Sequence, residues 1–85
     1  MYEYIPKGVC ARKIAFDIDE DTQTVKKVIF TQGCSGNTQG VAALVEGLKV
    51  DEVISRLDGI KCGFKNTSCP DQLATALKQY KEARA

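Results

Sequence analysis

The sequence predicts a small α+β domain, with an antiparallel sheet of about three strands followed by helices packed on one face of it. Three observations carry this. Ile14, Phe16 and Ile18 alternate with small or polar residues at the end of "VCARKIAFDI", residues 9–18, the pattern of a half-buried strand. "VKKVIFT", residues 25–31, is rich in β-branched residues and follows an Asp-rich turn, "DEDT", at 19–22. Beyond Phe30 the apolar period changes from that of a strand to that of a helix.

The first two strands therefore form an antiparallel hairpin, and "YEYI" near the N-terminus supplies a third strand. Lys26 and Lys27 are expected on the solvent face of their strand. Val41, Leu44, Val45 and Leu48 then fall at i, i+3, i+4 and i+7, one face of a helix, and Val50, Val53, Ile54 and Leu57 repeat that spacing. Gly47 is placed to break the two runs and Gly59 to stop the second. The last helix places Leu73, Ala76, Leu77 and Tyr80 on one face, with Lys78, Lys81, Glu82 and Arg84 solvated. Its start is well marked: Ser68 fits the N-cap, Pro70 lies in the first turn and Asp71 takes the acidic position of a capping box.

No internal repeat, low-complexity tract or linker interrupts the chain, so residues 1–85 are read as a single domain. The core of so short a chain is thin, and a metal, disulfides or oligomerisation would help it. Twelve basic and eleven acidic residues leave a net charge of +1, which gives no electrostatic case for nucleic acid or a membrane surface. Tyr2, Tyr4, Phe16, Phe30 and Phe64 accordingly read as core or sheet-face residues, since a base-stacking platform wants a basic surround. The absence of His removes Cys-His nucleophile pairs, His acid-base catalysis and every His-containing metal site. The opening "MYEYIPKGVC" has no basic segment followed by an apolar stretch, and no apolar run approaches a bilayer span. The expectation is a cytoplasmic chain, in which cysteines serve as metal ligands or catalytic thiols more often than in disulfides.

Four cysteines, Cys10, Cys34, Cys62 and Cys69, all fall at the ends of predicted elements and none in the middle of an apolar face. Buried cysteines acting as small hydrophobes would be expected within those faces. Gly, Ser, Asn or Pro residues flank three of them, giving a backbone able to wrap a ligand. Cys34 and Cys69 stand at helix starts, where the dipole favours the metal-binding thiolate form. Four thiolates without His fit a tetrahedral zinc site, or an iron–sulfur centre as the alternative. The gaps of 23, 27 and 6 residues contain no C-x-x-C knuckle, so the fold itself has to assemble the site.

Other readings stay open. Disulfide chemistry or sulfur transfer by a thiol enzyme is one, with Lys7, Arg12, Lys13, Lys61 or Lys65 tuning the thiols, but no base is identifiable. Small side chains in loops are another. A third comes from "FTQGCSGNTQGVAALVEG", residues 30–47, where Gly33, Ser35, Gly36, Asn37 and Thr38 would offer amides and hydroxyls to the phosphate of a nucleotide. That loop has neither the P-loop lysine nor the G-x-G-x-x-G pattern, and a turn with a helix cap explains it as well.

With "TSCPD" at residues 67–71 and Cys10, Cys34 and Cys62 upstream, the sequence resembles a stand-alone TSCPD-domain protein over nearly its whole length. A related domain ends some cobalamin-dependent ribonucleotide reductases. The resemblance therefore implies a link to deoxynucleotide synthesis, with ribonucleotide reductase or another protein as partner and a nucleotide as ligand. It implies an accessory part and no stand-alone catalyst, since this chain lacks the reductase barrel. In its order of hairpin, "VIFTQGCSG", helix, "VEGLKVDEVIS" and "SCPDQLATALKQYKEA", the chain is also similar to IscU/NifU-type iron–sulfur scaffolds. Cys10, Cys34 and Cys69 match that family's three cysteines in order. Arg12 stands where the family has an aspartate and Ser68 where it has a histidine, while Cys62 is additional and would replace a missing ligand.

Overall fold

The computed structural model describes residues 1–9, 11–32, 35–61, 63 and 65–84, with the side chains of 35–37 left aside. Its elements are β1 (Tyr2–Tyr4), β2 (Lys13–Asp19), β3 (Thr24–Thr31), α1 (Ser35–Val45), α2 (Val50–Leu57) and α3 (Cys69–Arg84). The strands form an antiparallel sheet in the order β1-β2-β3, and the three helices follow. This is the α+β arrangement that the change of period predicts.

The hairpin register pairs Ile14 with Phe30 and Phe16 with Val28, and Tyr2 pairs with Phe16 across β1. The sequence V-K-K-V in β3 sets a geometric problem, because two successive residues of a regular strand point to opposite faces. A register shift solves it: Asp17 pairs with Lys27 but Ile18 with Val25, leaving Lys26 as the extra residue of a bulge. Both lysines are exposed, as expected, while Val25 and Val28 both reach the core. On the outer face Ala15 is nonetheless buried between its register partners Glu3 and Ile29.

The core joins Ile14, Phe16, Ile18, Val25 and Val28 of the sheet to Val45, Val50, Val53, Leu73, Ala76, Leu77 and Tyr80 of the helices. Leu73 and Leu77 are fully buried, and burying such a side chain stabilises the fold by about 1.5–3 kcal/mol. The predicted faces of α2 and α3 are thus the faces that pack. Tyr2, Phe16 and Tyr80 form an aromatic cluster, with ring centroids 5.0 Å apart for Tyr2–Tyr80 and 5.5 Å for Tyr2–Phe16. Tyr4 and Phe30 pack against the core, and Phe64 lies outside the described residues.

The first helix departs from expectation. Its inward side carries Thr38, Val41, Ala42 and Val45, while Leu44 is 77% exposed. Leu48 lies beyond the helix, where its carbonyl accepts the Val25 amide at 2.8 Å and the Gly47 amide donates to the Val25 carbonyl at 2.7 Å. These bonds to β3 draw residues 47–48 away from the helical path. Gly47 turns the chain at φ +86°, a conformation that glycine adopts without a steric penalty. Thr38 to Val45 keep the i, i+3, i+4, i+7 spacing, but the set is shifted three residues towards the N-terminus, with Val41 and Val45 common to both. Gly59 has the same φ just after α2, where a stop is expected.

Candidate functional site

The signature "TSCPD" lies at the entry to α3, and most of its side chains have a defined structural task. Ser68 is the N-cap: its hydroxyl accepts the Asp71 amide at 3.1 Å and donates to the Ile60 carbonyl at 2.7 Å. One side chain thus caps the helix and ties down the preceding loop. Pro70, lacking an amide hydrogen, sits in the first turn, where an amide has no partner within the helix.

Asp71 departs from the expected capping box. In place of the Ser68 amide, its carboxylate takes the Gly59 amide at 2.6 Å on one oxygen and the Thr67 hydroxyl at 2.5 Å on the other. Its negative charge also lies in the first turn, where the helix dipole favours it. Gln72, buried and next in sequence, extends the chain of bonds. Its amide nitrogen donates to the Thr67 oxygen at 2.9 Å. Its carbonyl oxygen accepts the Lys7 amide at 3.1 Å and the Tyr4 hydroxyl at 3.2 Å. A continuous path runs from the N-terminal segment through Gln72, Thr67 and Asp71 to Gly59.

Cys69 stands inside this frame as the first residue of α3, buried at 7% exposure and with a free thiol. Cys10, Cys34 and Cys62 lie outside the described residues, as does Gly33, but their chain neighbours are described. Before Cys10, the Lys7 amide is held by Gln72, and a Cβ built on Gly8 would lie 3.5 Å from the Thr67 methyl. After Cys10, the Arg12 amide donates to the Thr31 carbonyl at 2.8 Å. Thr31 ends β3, three residues before Cys34. Gly59 and Ile60, just before Cys62, are held by Asp71 and Ser68. Among the described residues no group of three or more His, Cys, Asp or Glu side chains is placed to hold a metal. Cys69 is the one cysteine within that set.

Of the predicted anion-binding residues, Ser35, Gly36 and Asn37 form the first turn of α1. Thr38 turns inward with Val41 and is buried at 5% exposure. Sequence reasoning gave no role to Thr67 or Gln72. The available signal was a polar Gln directly after the signature, on the side of α3 that carries Leu73 and Ala76.

The class of molecule is now defined as a three-stranded antiparallel sheet with helices on one face and a buried thiol at the entry to the last helix. The chain belongs to the family described as the TSCPD domain, which matches residues 2–81. No curated protein and no solved structure matches it. No helix among the described residues is long and apolar enough to cross a membrane.

Proposed function

We propose that this chain is a cysteine-rich metal-binding domain, with zinc held by the thiolates of Cys10, Cys34, Cys62 and Cys69. The observation that carries the reading is the set of ties around the entry to α3. Cys10 lies two residues from Gly8, where an added Cβ would lie 3.5 Å from the Thr67 methyl, and two from Arg12, whose amide is bonded to the end of β3. Cys62 lies two residues from Ile60, whose carbonyl is held by the cap of α3. Successive Cα atoms are about 3.8 Å apart, so two residues of chain span at most about 7 Å. Three gaps without a knuckle motif are thus compatible with one site. Thiolates without histidine suit zinc in its closed, tetrahedral, structural form, which adds stability to a small core. An iron–sulfur cluster is the alternative occupant of the same donors.

Membership of the TSCPD family supports an accessory or regulatory part in deoxynucleotide synthesis, with a ribonucleotide reductase as partner, in the cytoplasm. The nucleotide-binding reading rests on Gly33, Ser35, Gly36, Asn37 and Thr38, and inward-facing Thr38 favours the metal reading over it.

The test is anaerobic purification of untagged chain, followed by elemental analysis and an absorption spectrum. About one zinc per chain is expected for a closed four-thiolate site, and visible absorption with iron and sulfide would assign the cluster instead. Folded, fully reduced and metal-free chain overturns the proposal. Ribonucleotide and deoxynucleotide titrations of that metal-free chain test the alternative.

A further inference from the structure

Asp58–Gly59 is the one place in the sequence where an Asp or Asn precedes a Gly, and it stands at the exit of α2. Such a pair carries a chemistry of its own. A backbone amide nitrogen attacks the side-chain carboxyl of the residue before it, closing a five-membered succinimide ring, and a glycine puts no side chain in the way. Both residues are exposed, and a Cβ built on Gly59 would meet no atom within 4 Å beyond its chain neighbours. There is therefore room for the ring, yet the structure opposes its closure at three points. The Gly59 amide donates its hydrogen to Asp71 Oδ1 at 2.6 Å, which engages the attacking nitrogen. An anion at that distance also disfavours loss of the amide proton, which the attack requires. The Asp58 carboxylate is tied to α3 by Lys78 Nζ at 2.7 Å. Closure further needs rotation about the Asp58 Cα–C bond, away from its extended ψ of 130°, and that rotation takes the Gly59 amide off Asp71.

We propose that Asp58–Gly59 is a latent site of spontaneous backbone isomerisation, held shut by Asp71, the last residue of the TSCPD signature. The steps balance with water as the sole co-reactant. In the first, a bond forms between the Gly59 nitrogen and Asp58 Cγ while the Cγ–OH bond breaks. The hydroxyl leaves as water, taking the amide hydrogen with it. In the second, water adds at the Asp58 main-chain carbonyl carbon, and the bond from that carbon to the ring nitrogen breaks. The chain then runs through Asp58 Cγ, and the former main-chain carbonyl becomes a free carboxyl group. The product, isoaspartate, has the mass of the starting chain and one more methylene in its backbone. That longer path displaces Gly59 and Ile60, whose amide and carbonyl are held by Asp71 and Ser68. Asp71 thus protects the stretch of backbone on which its own helix entry is docked.

The experiment incubates the full chain at near-neutral pH as folded wild type, as Asp71→Ala, and as wild type unfolded in guanidinium chloride. Isoaspartate at position 58 is followed over time by peptide mapping with electron-transfer fragmentation, which separates the two isomers of equal mass. Far-UV circular dichroism checks that the variants are folded. Formation is expected to be slowest in folded wild type and fastest in the unfolded chain. Asp71→Ala is expected to exceed folded wild type by about 10-fold, the scale set by one hydrogen bond to a charged group. Leu73→Ala, which weakens the fold but leaves the Gly59 bond in place, is expected to stay near wild type. Should Asp71→Ala not fold, Asp71→Asn replaces it, keeping an oxygen for Gly59 without the charge, with a rate between those of folded and unfolded wild type. An Asp71 variant no faster than folded wild type overturns the inference, as does a rise of the same size in Leu73→Ala. Absence of isoaspartate at position 58 in the unfolded chain overturns it as well.

Discussion

Two helices of this molecule begin just after a cysteine or at one, and the described residues contribute different contacts at each. The entry to α3 is fixed by side-chain hydrogen bonds: Ser68 to the helix and to Ile60, Asp71 to Gly59 and Thr67, Gln72 to Thr67, Lys7 and Tyr4. The first turn of α1 contains no acid, and among the described residues Thr38, Val41, Ala42 and Val45 face inward. Hydrogen bonds are directional and fix a point in space, whereas apolar contact fixes a face. The bonds at α3 tie the helix entry that carries Cys69 to Lys7, Gly59 and Ile60, which are distant in sequence. Helix α1 lies against β3.

The comparison can be broken at its strongest point first. Leu73 is fully buried one turn into α3, and Leu73→Ala is expected to cost about 2–5 kcal/mol, because the cavity adds to the lost transfer energy. That is a large share of the roughly 5–15 kcal/mol by which small domains are stable. Urea unfolding followed by circular dichroism would show it as a fall in midpoint.

Ser68→Ala comes next, removing the cap of α3 and the donor to Ile60 together. A loss of about 1–2 kcal/mol is expected, read as a lowered melting temperature, with faster amide exchange at residues 59–61. Loss confined to the helix, with the loop unchanged, would separate the two bonds and weaken the comparison.

The smallest effect is expected on α1. Leu44→Gln replaces a residue that the apolar period assigns to the core but that is 77% exposed. Stability should change by no more than about 0.5 kcal/mol, as for most surface substitutions, measured by the same urea titration. A loss of core size would restore the predicted helix face.

The legibility of the sequence follows the same division. Strand alternation and the apolar faces of α2 and α3 were readable because burial imposes a period on nearby residues. The bulge was implicit in V-K-K-V, since both lysines are charged and both valines apolar. The register of α1 was not readable. Leu44 is more apolar than Thr38 or Ala42, and what overrides it is the bonding of Gly47 and Leu48 to Val25 in another element. At the entry to α3, Cys69 and the Ser68 cap were evident from residue type. The ties of Asp71 and Gln72 to distant segments were hidden, because their partners at Gly59 and Lys7 are backbone amides, which every sequence position except proline carries.

X-ray absorption at the metal edge of the anaerobically purified chain tests the central claim most directly, because it counts the donor atoms. A shell of four sulfur atoms at about 2.3 Å is expected for zinc, with one sulfur lost in each single Cys→Ser variant of Cys10, Cys34, Cys62 and Cys69. A shell of oxygen or nitrogen donors, or a folded and reduced chain with no metal to measure, would contradict it.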